Sequence, residues 1–347
     1  MDAVDLRSDT VTRPSPPMVA AMAAAEVGDD QYGEDPTINR LQDRIADLLG
    51  KETALWFPTG TMANEVALRA LTRHGDDVIV SRESHVVWHE AGGGGANAGV
   101  QFTEIGTGGL FTAAEFVAAI KPEGHFLYPG TTLVEVEDTH NRAGGVVFPA
   151  AEAAAICEAA RERGITTYLD GARLWNAAIA GRRSPGEVAA PFDVVSVAMS
   201  KGLGAPGGSL LAGPRELLPR LLRFRRMYGG AMRQVGSFGA AGLFALDHNL
   251  ERLAEDHANA RRIAEAIART RYAEIDPASV QTNIIVWRLR EDGPDGPAVV
   301  ARARERGVLL NALGPRMVRA VTHLDVSRQA CEQAAAIVAS VIDAGPA

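Results

Sequence analysis

The sequence predicts an α/β protein: one large domain built on a mostly parallel sheet, followed by a smaller C-terminal α/β lobe. Three observations point that way. Short apolar runs alternate with helical patterns through the first two-thirds of the chain, as crossover units do. The helical stretches carry start and stop residues, clearest where Asp35-Pro36 opens one and Gly50 closes it. A long helical pattern from about 237 to 271 then leads into a strand–helix–strand–helix tail. The division expected is 1–250 for an N-terminal arm and large domain, and 251–347 for the small domain.

The elements follow in order. Before residue 36 the one periodic stretch is PPMVAAMAAAEVG, a short Ala-rich helix that stops at Gly28. Ile38, Leu41, Ile45, Leu48 and Leu49 recur at helical spacing up to Gly50. TGTMANEVALRALTRHG reads as a second helix, entered through the turn Thr59-Gly60-Thr61. Apolar runs at 77–81, 133–138, 166–170, 194–199 and 209–213 are strand candidates, and helices fit 112–121, 149–163 and 214–222. AGGGGANAG (91–99) reads as a tight turn or a flexible loop. The tail comprises NIIVWRLR, a Gly/Pro/Asp-rich loop at 292–297, a helix, VRAVTHLDVS and a last Ala-rich helix, and no internal repeat is visible.

Composition narrows the function classes. At 347 residues, 46% hydrophobic and 22% charged, the chain can bury a sizeable core. A net charge of −8 argues against a general nucleic-acid binder, which would carry a basic field. The basic cluster RFRRM (223–227) is the local exception. Cys157 and Cys331 lie far apart in helical patterns, without metal-ligand spacing, so both are expected reduced and buried. The opening MDAVDLRSDTVTRP lacks a signal-peptide pattern, and no apolar run approaches the ~20 residues of a membrane span. The expectation is a soluble, cytoplasmic protein.

SKGLGAPGGSLLAG contains a match to the dinucleotide fingerprint G-x-G-x-x-G at 202–207. The fingerprint needs a helix at the glycines and an acid about 20 residues on. Here Pro206-Gly207-Gly208 break any helix, another strand follows, and the window around 220–228 holds no acid. A P-loop fails too, because its lysine follows the glycines, whereas Lys201 precedes them. Lys201, at the end of a buried strand, is either a solvated turn residue or a desolvated amine able to form a Schiff base.

Asp170 ends the strand TTYLD, 31 positions earlier, and ligands of open parallel sheets gather beyond the carboxyl ends of their strands. A Schiff-base lysine with a carboxylate for a ring nitrogen is the pair that pyridoxal phosphate chemistry requires. Asp170 could equally be a helix cap. Thr59-Gly60-Thr61 can cradle a phosphate at a helix N-terminus or simply cap the helix. His85, after the 77–81 strand, can stack on a flat ring or sit as a surface histidine. His89 and Glu90 have no assigned role.

Taken together, VDLRSDTVTRPS, GDDQYGEDPT, FPTGTMAN, SHVVWHEAGG, VEDTHNRAGG, LDGARLWNA, SKGLGAPGGSLLAG, MYGGAMRQVG and VRAVTHLDVS resemble, in order, the low-specificity L-threonine aldolase family, over residues 4–330. The resemblance implies the aspartate aminotransferase-like fold, type I of the pyridoxal phosphate enzymes, with a mostly parallel seven-stranded sheet. It implies that Lys201 binds pyridoxal 5′-phosphate, that Asp170 partners its ring nitrogen, and that His85 stacks on the ring and takes part in proton transfer. Gly60 and Thr61 match the phosphate turn. Arg173 matches the arginine facing the cofactor hydroxyl and substrate carboxylate, which Ser8 and Arg319 also match. Arg233 matches a phosphate-contacting arginine reaching across a dimer interface, and Tyr32 a residue approaching the neighbouring site.

The implied activity is aldol cleavage of L-threonine, L-allo-threonine or a related β-hydroxy-α-amino acid to glycine and an aldehyde. β-Elimination, or action on a bulky substrate such as phenylserine, is the alternative on the same scaffold; a non-catalytic nucleotide-binding protein is the alternative of another class. A homotetramer, as a dimer of dimers sharing active sites, is implied too. One departure stands out. Where the family commonly reads His-Phe-x-Arg-Thr, this chain has HFLYPGTT, with His125 kept, Tyr128 in place of the arginine and a longer loop. His125 matches a histidine near the substrate hydroxyl, so side-chain preference is expected to differ here.

Overall fold

A computed structural model describes residues 3–122 and 124–346. Its local rules are those of the sequence. Asp35 accepts hydrogen bonds from the Thr37 and Ile38 amides at 3.2 and 3.0 Å, opening helix Pro36–Leu49, and Gly50 ends it in the left-handed region at φ 64°. The face of Ile38, Leu41, Ile45 and Leu49 is buried.

Seven strands form the large sheet: β1 (Thr53–Phe57), β2 (Asp77–Ser81), β3 (Gln101–Ile105), β4 (Thr131–Glu137), β5 (Thr166–Gly171), β6 (Val194–Ala198) and β7 (Ser209–Gly213). Their spatial order is β1-β7-β6-β5-β4-β2-β3. All pairings are parallel except the two that β7 makes, with β6 and β1. Helices cover both faces, which is why most strands read as unbroken apolar runs. Alternate residues point to opposite layers: Val134, Val136 and Leu169 face one core, Leu133 and Tyr168 the other. Glu135, Glu137 and Asp170 share the second face by the same alternation, so it turns from apolar to acidic toward the carboxyl ends of the strands.

The C-terminal lobe has its own antiparallel sheet, in which β8 (Ile284–Leu289) lies between Ala273–Glu274 and β10 (Met317–Val321), and β9 (Asn311–Gly314) pairs with β10. Its core gathers Ile263, Ile285, Trp287, Val318 and Val338. Leu6, from the N-terminal arm, is buried in that core, and Val4–Asp5 pairs in parallel with Val308–Leu309. The arm is therefore held by the far end of the chain.

Several expectations are corrected. The long helical pattern of 237–271 is two helices, Gly236–His248 and Leu253–Ala268. The break between them is functional packing: the Asn249 amide donates to the Leu203 carbonyl at 2.8 Å, and Leu253 sits against Gly202. β1 and β3 carry no clear period in sequence; β3 is a partly exposed edge strand with polar residues mixed in. The glycine tract is a packed wide helical turn over Gly94–Ala98 rather than a floppy loop. A Cβ at Gly93 would strike Glu65, and one at Gly94 would strike Phe102. In RFRRM, Arg225 turns inward, pairing with Asp30 at 2.8 Å and donating to the Trp56 carbonyl at 2.9 Å, so that cluster is partly structural. Cys157 and Cys331 are buried and unbridged. Among the described residues no helix is long and apolar enough to cross a membrane.

Candidate active site

The acidic ends of β4 and β5 meet the loop after β6. Asp170, 1% exposed, is the last side chain before the turn leaving β5. Its Oδ2 accepts from Asn64 Nδ2 at 2.8 Å, and its Oδ1 from the Ala172 amide at 3.0 Å and the Ser196 hydroxyl at 3.4 Å. Asn64, on helix Gly60–Leu71, also donates to Glu90 Oε1 at 2.8 Å and accepts from the Tyr168 hydroxyl at 2.5 Å. One buried amide thus ties the aspartate to a second carboxyl and a phenol.

Lys201 lies one loop away, its carbonyl accepting from the Thr12 hydroxyl at 3.0 Å and the Gly204 amide at 2.8 Å. Burial, and next the Arg173 guanidinium, push its ammonium below the usual lysine range, against the pull of Asp9, Asp170 and Glu137. A lysine so placed presents more of its neutral, nucleophilic amine.

Arg173 is buried with both arms of its fork on Asp9, at 2.8 and 2.7 Å, and its Nη1 3.3 Å from Asn141 Oδ1. Burial alone would raise the Asp9 carboxyl, but Arg173 overrides it and holds Asp9 well below the usual range. Asn141 Oδ1 also accepts from Arg319 Nη1 at 3.1 Å, so one amide oxygen joins two guanidiniums. Arg319 projects from β10; its Nη2 donates to the Arg7 carbonyl at 3.2 Å, and its buried Nε has no partner. Burial and Arg173 lower its pKa to about 10. Ser8, beside Asp9, accepts from the Thr10 amide at 3.2 Å and hydroxyl at 2.8 Å.

His85 opens the short helix His85–Trp88; its amide donates to Glu137 Oε2 at 2.8 Å, and its Nδ1 lies 2.9 Å from Glu90 Oε1. Burial would lower its pKa, but Glu90, Asp170 and Glu137 together raise it. The His89 ring lies 5.4 Å from it, centroid to centroid. At the start of helix Gly60–Leu71, Thr59 accepts from the Met62 amide at 3.1 Å, Thr61 is exposed, and the space a Cβ on Gly60 would enter is open. That leaves the first amides of a helix, with their favourable dipole, facing free space.

Three expected residues stand apart. His125 lies on an exposed turn before β4, its ring against Phe126 and Tyr128 at 5.2 and 4.8 Å. It sits at the opposite end of that strand from Glu137, six steps of about 3.3 Å away. A single chain therefore does not bring His125 to Lys201 and Asp170. Tyr32 is 70% exposed, and Arg233 is exposed beside Gln31 and 3.7 Å from Asp29. The segment leading to Arg233 borders the Thr59-Gly60-Thr61 turn, since a Cβ on Gly230 would strike Met62 and Pro58.

The glycines after Lys201 are packed tightly against the body of the protein. Added Cβ atoms at 202, 204, 207 and 208 would meet Leu253, Leu324, Phe238 and Trp56 respectively, and Gly204 and Gly208 have φ of 78° and 104°. They let the turn pack closely against the body of the protein.

Sequence reasoning missed Asp9, Asn64, Glu90, Glu137 and Asn141. Asn64 left one trace, a polar residue on an otherwise apolar helix face, and Glu137 another, a charge at the end of the apolar run 133–138; the others give no local pattern. The set fits pyridoxal phosphate on geometry: an open helix N-terminus for the phosphate, a desolvated lysine, a fixed buried carboxylate, and an orphaned buried guanidinium nitrogen.

Comparison with known proteins agrees. The beta-eliminating lyase family model matches residues 5–290. The chain is 43% identical to the low specificity L-threonine aldolase of Escherichia coli K12 over 336 residues, covering 96% of this chain and 97% of that one. It is 37% identical to the Arabidopsis thaliana low-specificity L-threonine aldolase 1, covering 94% and 93%. The chain belongs to the low-specificity L-threonine aldolase family. Solved structures extend the agreement to the fold. A threonine aldolase of Leishmania major superposes with a TM-score of 0.82 at 18% identity, over 98% of this chain and 99% of that one. A Sphingomonas wittichii serine palmitoyltransferase gives 0.76, over 98% and 87%. The architecture is the type I fold of pyridoxal phosphate enzymes.

Proposed function

We propose that the chain cleaves L-threonine, L-allo-threonine or a related β-hydroxy-α-amino acid to glycine and an aldehyde, using pyridoxal 5′-phosphate. The observation that carries this reading is the convergence of Lys201 and Asp170 at the carboxyl ends of the sheet. When bound, the cofactor supplies an electron sink for the pair released as the Cα–Cβ bond breaks.

The chain's own residues do the rest. The Lys201 amine, whose charged form burial and Arg173 disfavour, would hold the cofactor and lie where the substrate amine must arrive. Asp170, fixed by Asn64, Ser196 and the Ala172 amide, presents a negative charge to the ring nitrogen and keeps it protonated. The open turn at Thr59-Gly60-Thr61 receives the phosphate. Arg319, with one guanidinium nitrogen uncommitted, holds the substrate carboxylate together with Ser8, a task suited to a planar fork. Arg173 acts chiefly by fixing the arm through Asp9 and by lowering the Lys201 pKa. His85, its Nδ1 engaged by Glu90, would cover the cofactor ring and leave its Nε2 free to hold a proton there.

The working unit we propose is a homotetramer, a dimer of dimers in the cytoplasm, whose sites are completed by neighbouring copies. The exposed positions of Tyr32, Arg233 and the His125 turn support this, because each is far more accessible than a site residue of one chain would be. The test is product analysis with L-threonine and L-allo-threonine. Glycine and acetaldehyde in equal amounts are expected, whereas a 2-oxo acid with ammonia would overturn the assignment in favour of elimination.

A further inference from the structure

Against His85 Nδ1 lies a pair of acids that the proposed reaction does not use. Glu90, 4% exposed, gives Oε1 to both His85 Nδ1 and Asn64 Nδ2, while its Oε2 is buried without a partner. Glu65, also 4% exposed, stands one residue along the helix from Asn64 and has its Oε1 buried without a partner. Their segments are tied together: Asn64, next to Glu65, holds Glu90, and the Glu65 carboxyl abuts Gly93, three residues after Glu90. Two neighbouring buried carboxyls, each with an orphaned oxygen, call for a proton between them. The other oxygen of Glu65 accepts from Asn97 Nδ2 at 3.2 Å, and Asn97 is exposed. Room for the Glu65 carboxyl depends on Gly93, where an added Cβ would come within 1.8 Å of it.

We propose that Glu65 and Glu90 form a proton-sharing pair that sets the charge of His85 and passes its proton to and from solvent at Asn97. Glu65 is thus a positioning residue, acting on the chemistry through Glu90 and His85. The inference rests on the proposed reaction only for His85's place beside the ring. When His85 gains a proton at Nε2, its Nδ1 proton moves to Glu90 Oε1 and Glu65 gives the proton the pair had shared to water beside Asn97, so His85 returns to neutral and the pair again holds one proton. The transfer is of protons alone and balances at each step.

The surroundings favour a single shared proton. Glu65 faces Asn97 on the glycine turn and lies near Tyr228 at the end of helix Leu218–Met227, a phenol that Arg69 also approaches. Glu90 faces His85, Asn64 and Asp170, with Glu135 and Tyr168 beyond. Burial, reinforced by Glu90, pushes Glu65 up to about 7, so the shared proton comes off near neutrality.

The test is the titration of His85 by nuclear magnetic resonance in the full-length, cofactor-loaded protein, labelled at its 8 histidines and assigned with His85→Asn. The wild type is expected to show two steps for His85, one of them near pH 7. Glu65→Gln keeps the shape and one hydrogen bond but removes the ionisation, so a single step should remain, at lower pH than the wild type's upper step. Gly93→Ala, which displaces the Glu65 carboxyl without changing it, should do the same and serves as the second variant if the first folds poorly. A wild-type curve with one step, or a Glu65→Gln curve that superimposes on the wild type, would overturn the proposal. Neither outcome depends on which product the enzyme releases, so failure here leaves the assignment of the reaction untouched.

Discussion

The two ends of strand β4 are opposites. At its carboxyl end, Glu137 joins a buried assembly whose central groups are held: Asp170 by three donors, Arg173 by a bidentate aspartate, His85 by Glu90 and the Glu137 carboxylate. At its amino end, His125, Phe126, Leu127 and Tyr128 stand exposed, Phe126 by 91%, touching chiefly one another. The lesson is that one chain pre-organises the cofactor-facing half of the site by itself, at the cost of burying many charges. The loop that the family resemblance links to the substrate hydroxyl is left unplaced by its own chain.

Substitutions can break or sharpen that contrast. Lys201→Ala should have the largest effect, lowering kcat/KM by at least about 10³-fold and leaving cofactor that dialyses away; absorbance after dialysis and product assays read both. Asp170→Asn should cost about 10²- to 10³-fold in kcat, since a preorganised charge is replaced by a neutral group of the same shape; steady-state kinetics with the cofactor saturating checks it. Asp9→Asn acts on the fold. It leaves Arg173 buried with its charge unmatched, which costs about 3–5 kcal/mol and is measured by denaturant unfolding.

The Asp9 substitution also has a pH signature. Asp9 is held below its unfolded value of about 4, so its contribution to stability is present above that pH and is lost as pH falls toward the folded value. Wild type and Asp9→Asn should therefore differ most in stability above about pH 4 and converge in strong acid, as unfolding curves across pH would show. The smallest effect belongs to the other end of β4. His125→Ala should change unfolding free energy by less than about 0.5 kcal/mol, as for other exposed positions. If it lowers activity at all, the loss should vanish with dilution into dissociated chains, where the remaining activity is the same with and without the histidine.

How much of this was legible follows the same division. The strands at 77–81, 166–170, 194–199 and 209–213 could be read because helices cover both faces of the sheet and make its strands continuously apolar. β3 could not, because an edge strand needs no such run. Lys201 and Asp170 were legible because charged residues at the ends of apolar strands stand out, and strand ends are where ligands gather. Asp9, Asn64 and Asn141 were not, since each acts through a partner between 26 and 164 positions away. Hydrogen bonds across such separations leave no spacing to find. The single helix expected over 237–271 failed for a similar reason: the break is fixed by Asn249 binding a carbonyl 46 positions earlier.

The central claim is that Lys201 and Asp170 form one pyridoxal phosphate site, and the most direct test is where the cofactor attaches. The purified protein, reduced with borohydride, digested and mapped by mass spectrometry, should carry the phosphopyridoxyl mark on Lys201 alone, and Asp170→Asn should keep that mark while losing turnover. A mark on another lysine, or no mark on a protein that still releases glycine from L-threonine, would contradict the account.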